Sequence, residues 1–329
     1  MSKNKKIILS GNRPTGKLHL GNYTGALENW VALQKEYKCY FMVADWHVLT
    51  TDHEHTDEIR RYTREMFLDW IGAGLDPEIS TLFIQSQIKE HAELFLLLSM
   101  LITKPRLERN PTLKEQVRDL QLDQNVSYGH LGYPVLQAAD ILMYRADLVP
   151  VGEDQMPHVE ITREIARKFN QVFGTVFPIP DGKLTQFARF PGLDGNRMSK
   201  SLGNTIEISD GHEEIKKKVM TAFTDPARKR RSDPGHPEIC LIYTYWQKFG
   251  ADRTKEIHSA CTGAKIGCVE CKQQVAAAIA KFFEPLRDKR RALEDTPGAV
   301  DEIIDEGNRR ARERAQETMK MVREKMKLG

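Results

Sequence analysis

Apolar runs that alternate with helical spacing predict an α/β fold on a doubly wound parallel sheet, followed by an all-helical region. Three observations carry this expectation. Four runs, around Ile7–Leu9, Cys39–Val43, Thr81–Ile84 and Leu148–Val151, are apolar almost throughout, as strands covered on both faces require. Helical spacing follows each of the first four. Beyond Asn204 no stretch reads as a strand, which divides the chain into an α/β domain, 1–204, and a helical domain, 205–329.

In order, Ile7-Ile8-Leu9 is a buried strand. Gly11, Pro14 and Gly16 break regularity, and Leu27, Trp30, Val31, Leu33 and Gln34 give a helix from Asn22 to about Tyr37. A strand, a glycine-containing loop and a helix make a place where backbone N–H groups and the positive helix end hold phosphate. The second strand, 39–45, leaves Asp45, Trp46 and His47 at its carboxyl end, where ligands sit in open α/β sheets. A helix over 56–73, the strand Thr81–Ile84, and helices over 92–102, 112–122 and 131–144 follow, the last with Asp140 inside it. Leu148–Gly152 is a strand, and Glu153, Asp154 and Gln155 open a helix to about Asn170. The Pro- and Gly-rich stretch 177–195 reads as the approach to a mobile loop. The tail 309–327 interleaves Arg with Glu and reads as an amphipathic helix packing on the body.

Composition bounds the function. A net charge of +3 does not by itself announce a nucleic-acid binder, and local clustering such as Arg228-Lys-Arg-Arg231 says more. No apolar run approaches a membrane span, and the polar opening MSKNKK is no signal peptide, so a cytoplasmic protein is expected. There Cys240, Cys261, Cys268 and Cys271 suggest a metal site, while Cys39, in an apolar strand, belongs to the core.

Two motifs compete for the first loop. Gly11, Gly16 and Lys17 fit a phosphate loop, but Leu18 stands where a magnesium-binding Ser or Thr is required, and Pro14 removes an N–H. The other motif is His19-Leu20-Gly21-Asn22. It resembles the "HIGH" signature of class I aminoacyl-tRNA synthetases, and Arg197-Met198-Ser199-Lys200-Ser201 resembles their "KMSKS" signature. The stretches 138–144 and 149–155, with His158, resemble tryptophanyl-tRNA synthetases, a likeness that runs over nearly the whole chain.

The resemblance implies a Rossmann-like catalytic domain that forms tryptophanyl-adenylate from L-tryptophan and ATP with Mg2+, then charges tRNA(Trp), in a homodimer. It assigns His19, Asn22, Lys200 and Lys114 to catalysis. Arg13, Pro14, Thr15, Gly21, Asn22, Gly152, Glu153, Asp154, Arg189, Arg197, Met198, Ser199, Lys200 and Ser201 would line the nucleotide. Asp140, Gln155 and His47 would hold tryptophan. A carboxylate in an apolar helix is costly unless paired, and the indole N–H is a donor only, so Asp140 opposite it selects that ring. Arg197 replaces the family's first lysine, and Gln137 stands where many bacterial members carry Met. A tyrosyl enzyme is the nearest rival. The cysteine spacing C-x20-C-x6-C-x2-C leaves zinc and a four-iron cluster open. A subgroup of the family resembles this segment and carries a [4Fe–4S] cluster, which favours iron over zinc.

Overall fold

The computed structural model describes residues 5–119, 122, 125–184 and 190–328; of Asp154 and Ser201 the side chains lie outside this description. Strand β1 (Ile7–Asn12) leads into α1 (Leu20–Asn22), a π-helical turn (Tyr23–Leu27) and α2 (Glu28–Leu33). Next come β2 (Lys38–Val43), α3 (Asp45–Leu49), α4 (Asp57–Ala73), β3 (Thr81–Ile84), α5 (Glu90–Ser99), α6 (Lys104–Glu108), α7 (Pro111–Asp119) and α8 (Tyr128–Met143). Strand β4 (Leu148–Val151), α9 (Met156–Phe173) and β5 (Asp181–Leu184) complete the α/β part. Helices α10 (His212–Thr221), α11 (Leu241–Phe249), α12 (Thr254–Thr262), α13 (Cys268–Phe282), α14 (Glu284–Glu294) and α15 (Ala299–Met326) follow.

Among the described residues the five strands form one parallel sheet in the order β3-β2-β1-β4-β5, the Rossmann-like arrangement. Successive strand residues face opposite layers. Ile8, Cys39, Phe41 and Val43 pack with Trp30, Phe67 and Trp70, while Leu9, Tyr40 and Met42 pack with Tyr144 and the α8–α9 layer. The register Asn12–Val43 and Val43–Ile84 brings the carboxyl ends of β1, β2 and β3 level, so the segments that follow them meet at one rim. Between β1 and β4 the strand order reverses, which opens the crevice that receives ligands in such sheets.

Helix α15 closes the sheet at β3. Asn308 Oδ1 accepts the Ile84 N–H at 2.9 Å, and a Cβ at Gly307 would fall 1.7 Å from the Leu82 carbonyl, so only glycine lets the helix lie on the strand. Arg310 donates to the carbonyls of Pro77 and Ser80.

The structure adds to the sequence reading in four places. The stretch after Phe177 contains β5, whose polar residues Asp181-Gly-Lys-Leu184 show no strand pattern because it is the sheet edge. The first helix starts at Leu20, ahead of Asn22, and carries a π turn. Strand β2 ends at Val43, and Asp45–Leu49 is helical. Helix α5 runs Glu90–Ser99, earlier at both ends than its spacing suggests.

Candidate active site

The two signatures, nearly two hundred residues apart in sequence, lie against each other. The Leu20 N–H donates to the Ile206 carbonyl at 2.9 Å and the Ile208 N–H to the Leu18 carbonyl at 3.0 Å, so the segment after the second signature pairs across His19. Gly16 has φ +132°, open to glycine, and a Cβ there would meet Lys200 Nζ at 2.8 Å. Met198 packs beside Gly21. Asn22 Oδ1 accepts the His19 N–H at 3.0 Å, fixing the start of α1.

The electrostatics of this junction are set by burial. His19 is buried, and desolvation, then the Lys200 and Arg197 cations, push its pKa down to about 4 against an opposing pull from Glu207. The imidazole is therefore neutral near pH 7. Its Nδ1 is buried without a partner among the described residues. Burial likewise lowers Lys200 to about 8, with Glu207 and Asp69 opposing.

Asn204 organises the second signature. Its Nδ2 donates to Asp194 Oδ1 at 2.7 Å and to the Arg197 carbonyl at 3.0 Å, while its Oδ1 accepts the Ser199 N–H at 2.8 Å. On the other side of the junction, Asp69 of α4 accepts the Leu18 N–H at 3.2 Å and pairs with Arg290 of α14. Arg290 also reaches Glu65 at 2.6 Å and Glu294 at 3.0 Å.

A second polar centre lies behind the rim. Asp140 is 1% exposed and is met from three sides: His47 Nε2 at 2.9 Å, His91 Nδ1 at 2.6 Å, and Gln85 Nε2 at 2.8 and 2.9 Å from the two oxygens. Burial alone would raise its pKa, but the hydrogen bonds and charges of His47 and His91 outweigh it and hold the carboxyl at about 2.

The remaining expected residues are placed as follows. Arg13, Pro14 and Thr15 form the loop after β1, with Arg13 Nη1 3.3 Å from Thr51 Oγ1. Gly152 and Glu153 leave the carboxyl end of β4, and Gln155 closes the short turn there; Asp154 shares that backbone. Arg197 is exposed. Lys114 is exposed on α7, and among the described residues no hydrogen bond or ion pair joins it to either signature. Arg189 lies outside the described residues, as does the side chain of Ser201.

Known proteins decide the family. The profile "tRNA synthetases class I (W and Y)" matches residues 1–284. The tryptophan–tRNA ligase of Thermotoga maritima is 48% identical, over 98% of this chain and 99% of that one, and the Aquifex aeolicus ligase is 43% identical over the same shares. The chain belongs to the class I tryptophan–tRNA ligases. It is an ATP-dependent aminoacyl-tRNA synthetase. The crystal structure of the tryptophanyl-tRNA synthetase from Campylobacter jejuni complexed with ADP and tryptophan, 32% identical, superposes with a TM-score of 0.89 over 98% of this chain and all of that one. No described helix of this ligase is long and apolar enough to cross a membrane.

The ligase's four grouped cysteines come together at helix ends. Cys240 caps α11, Cys261 lies in the last turn of α12, and Cys268 and Cys271 open α13. Burial, together with the other three sulfurs, raises Cys271 to about 11 against a 3.3 Å hydrogen bond from Trp246 Nε1. Arg228 points its guanidinium at Cys261, 4.0 Å away. As they stand, no three His, Cys, Asp or Glu side chains among the described residues are grouped so as to hold a metal ion. The sulfurs lie within electrostatic reach of one another, with Cys261 and Cys271 raised as thiols rather than set as a closed ligand shell.

Sequence reasoning missed Gln85, His91, Asp69, Arg290 and Asn204. Each is a buried polar residue, and all but Asn204 take their meaning from a distant partner. The one local signal is Asn204, three residues past the second signature.

Proposed function

We propose that the HLGN and RMSKS segments form the site where the tryptophan carboxylate attacks the α-phosphorus of ATP, and that the tryptophanyl group then passes to tRNA(Trp). The packing of Lys200 against the Gly16 loop, beside His19, carries this reading. As the carboxylate oxygen bonds to phosphorus, the bond to the β-phosphate oxygen breaks and negative charge grows on the departing diphosphate. Lys200 and Arg197 meet that charge, and magnesium travels with ATP. His19, through its unpartnered Nδ1, and Asn22 donate to the nucleotide. Arg13, Pro14, Thr15 and Gly21 wall one side of it and Gly152, Glu153 and Asp154 the other. Met198, Ser199 and Lys200 of the second signature face the nucleotide from that segment; Ser201, Arg189 and Lys114 are assigned to it by the family resemblance. The carboxylate nucleophile is already ionised, so no general base is required. In transfer, a terminal ribose hydroxyl of tRNA attacks the adenylate carbonyl and AMP leaves.

Asp140 accepts the indole N–H, with Gln155 and His47 at the tryptophan pocket. Residues 1–204 serve as the catalytic domain and 205–329 face the anticodon side. Cys240, Cys261, Cys268 and Cys271 would hold a [4Fe–4S] cluster, with structural zinc on the same sulfurs as the alternative. Such a cluster supplies a fixed charge and cross-link between α11, α12 and α13. Exposed Leu96 on α5 and Met100 just past its end, with Tyr128 opening the adjoining α8, support a homodimer face. A cluster held by cysteines, without disulfides among them, would suit the reducing cytoplasm.

Lys200→Ala tests the active-site reading. Adenylate formation in single-turnover assays should fall on the order of 10²–10³, with tryptophan affinity nearly unchanged. An intact adenylate burst would remove Lys200 from the chemistry.

A further inference from the structure

A carboxylate has about four lone-pair places. On Asp140 all of them are used: His91 and Gln85 on Oδ1, His47 and Gln85 on Oδ2. A ligand N–H can join this centre only by displacing a donor. The donors differ in freedom. Gln85 and His91 are fully buried, whereas the His47 side chain is 12% exposed and belongs to the short helix at the ligand rim.

His91 is fixed further. Its Nδ1 donates to Asp140, and its Nε2 lies 2.8 Å from the Tyr144 hydroxyl. Burial holds that phenol protonated well beyond its usual range, with the Asp140 charge adding to the effect. The phenol keeps its proton, and its contact with Nε2 holds the ring with Nδ1 at the carboxylate. The chain of contacts runs Tyr144 to His91 to Asp140 and anchors the carboxylate from the core.

We propose that Gln85 and His91 are positioning residues that set tryptophan selectivity by fixing the Asp140 carboxylate, while His47 keeps the place on Oδ2 that the indole N–H takes over. This rests on the reading of Asp140 as the indole acceptor. A carboxylate locked from the core cannot turn away or take a proton to suit a ring without a donor. It leaves an unmatched charge against such a ring, which is how a polar site rejects it.

The experiment compares kcat/KM for L-tryptophan with that for the analogue whose indole nitrogen is replaced by sulfur. His91→Leu should lower the preference for tryptophan by on the order of tenfold or more, through KM for the amino acid, with KM for ATP unchanged. His91→Asn, which restores a donor near the Nδ1 position, should recover much of the preference. Gln85→Leu should behave like His91→Leu, and it carries the test should the latter fail to fold. A preserved preference in folded His91→Leu and Gln85→Leu overturns the proposal, as does an equal rise in both KM values, which marks a structural role. Asp140→Asn, run in parallel, separates the two levels. If it keeps the full preference, the Asp140 reading fails; if it alone loses it, only the positioning role does.

Discussion

Lys200 carries its charge conditionally. Burial lowers its pKa to about 8, so the free enzyme holds the ammonium at pH 7 and loses half of it near pH 8. The cation is the useful form, so kcat/KM for ATP should fall as pH rises through about 8. With ATP bound, the phosphates favour the cation and the limb in kcat should lie higher. Lys200→Arg should show no limb there, because guanidinium does not deprotonate. An unchanged limb in that variant would assign it to another group. His19, at about 4, contributes nothing to the profile near neutrality. At this scale Asp140 was legible, because a carboxylate inside an apolar helix needs a reason. Its partners were not: His91 and Gln85 are 49 and 55 residues away, and each alone is an ordinary polar residue.

The elements whose pattern was local were legible, among them α4, β3 and the apolar α8. Strand β5 was not, since an edge strand of polar residues has no period to read, and neither was the π turn, which residue spacing does not announce. The cysteine segment lies between these cases. Its spacing suggested a metal site, whereas no three ligating side chains among the described residues are grouped to hold an ion; the meeting of α11, α12 and α13 that brings the sulfurs within electrostatic reach came only from the fold. With a [4Fe–4S] cluster there, anaerobically purified protein should be brown and hold close to four irons per chain. Ser substitutions at Cys268 and Cys271 should impair transfer to tRNA(Trp) more than tryptophan activation. A colourless protein with one zinc would replace the cluster, and equal loss of both steps would give the cysteines a role in the whole fold.

Across the whole molecule, the sheet levels three strand ends at one rim, and two chain segments from beyond the sheet complete the site. Residues 206–208 pair with the first signature from one side, while Arg290 of α14, through Asp69, steadies its backbone from the other. Helix α15 seals the β3 edge. The α/β order was visible in the alternation of runs, and the tail read as an amphipathic helix packing on the body; that it covers the β3 edge, and the role of α14, were not, because a charged amphipathic helix does not say which surface it covers. The family match spans enzymes for tryptophan and for tyrosine, and the choice between them turns on the proposed role of the buried Asp140 carboxylate as indole acceptor. Amino-acid-dependent exchange of pyrophosphate into ATP, with tryptophan against tyrosine, tests that most directly. The account predicts rapid exchange with tryptophan and essentially none with tyrosine; exchange driven by tyrosine, or by neither amino acid, would contradict it.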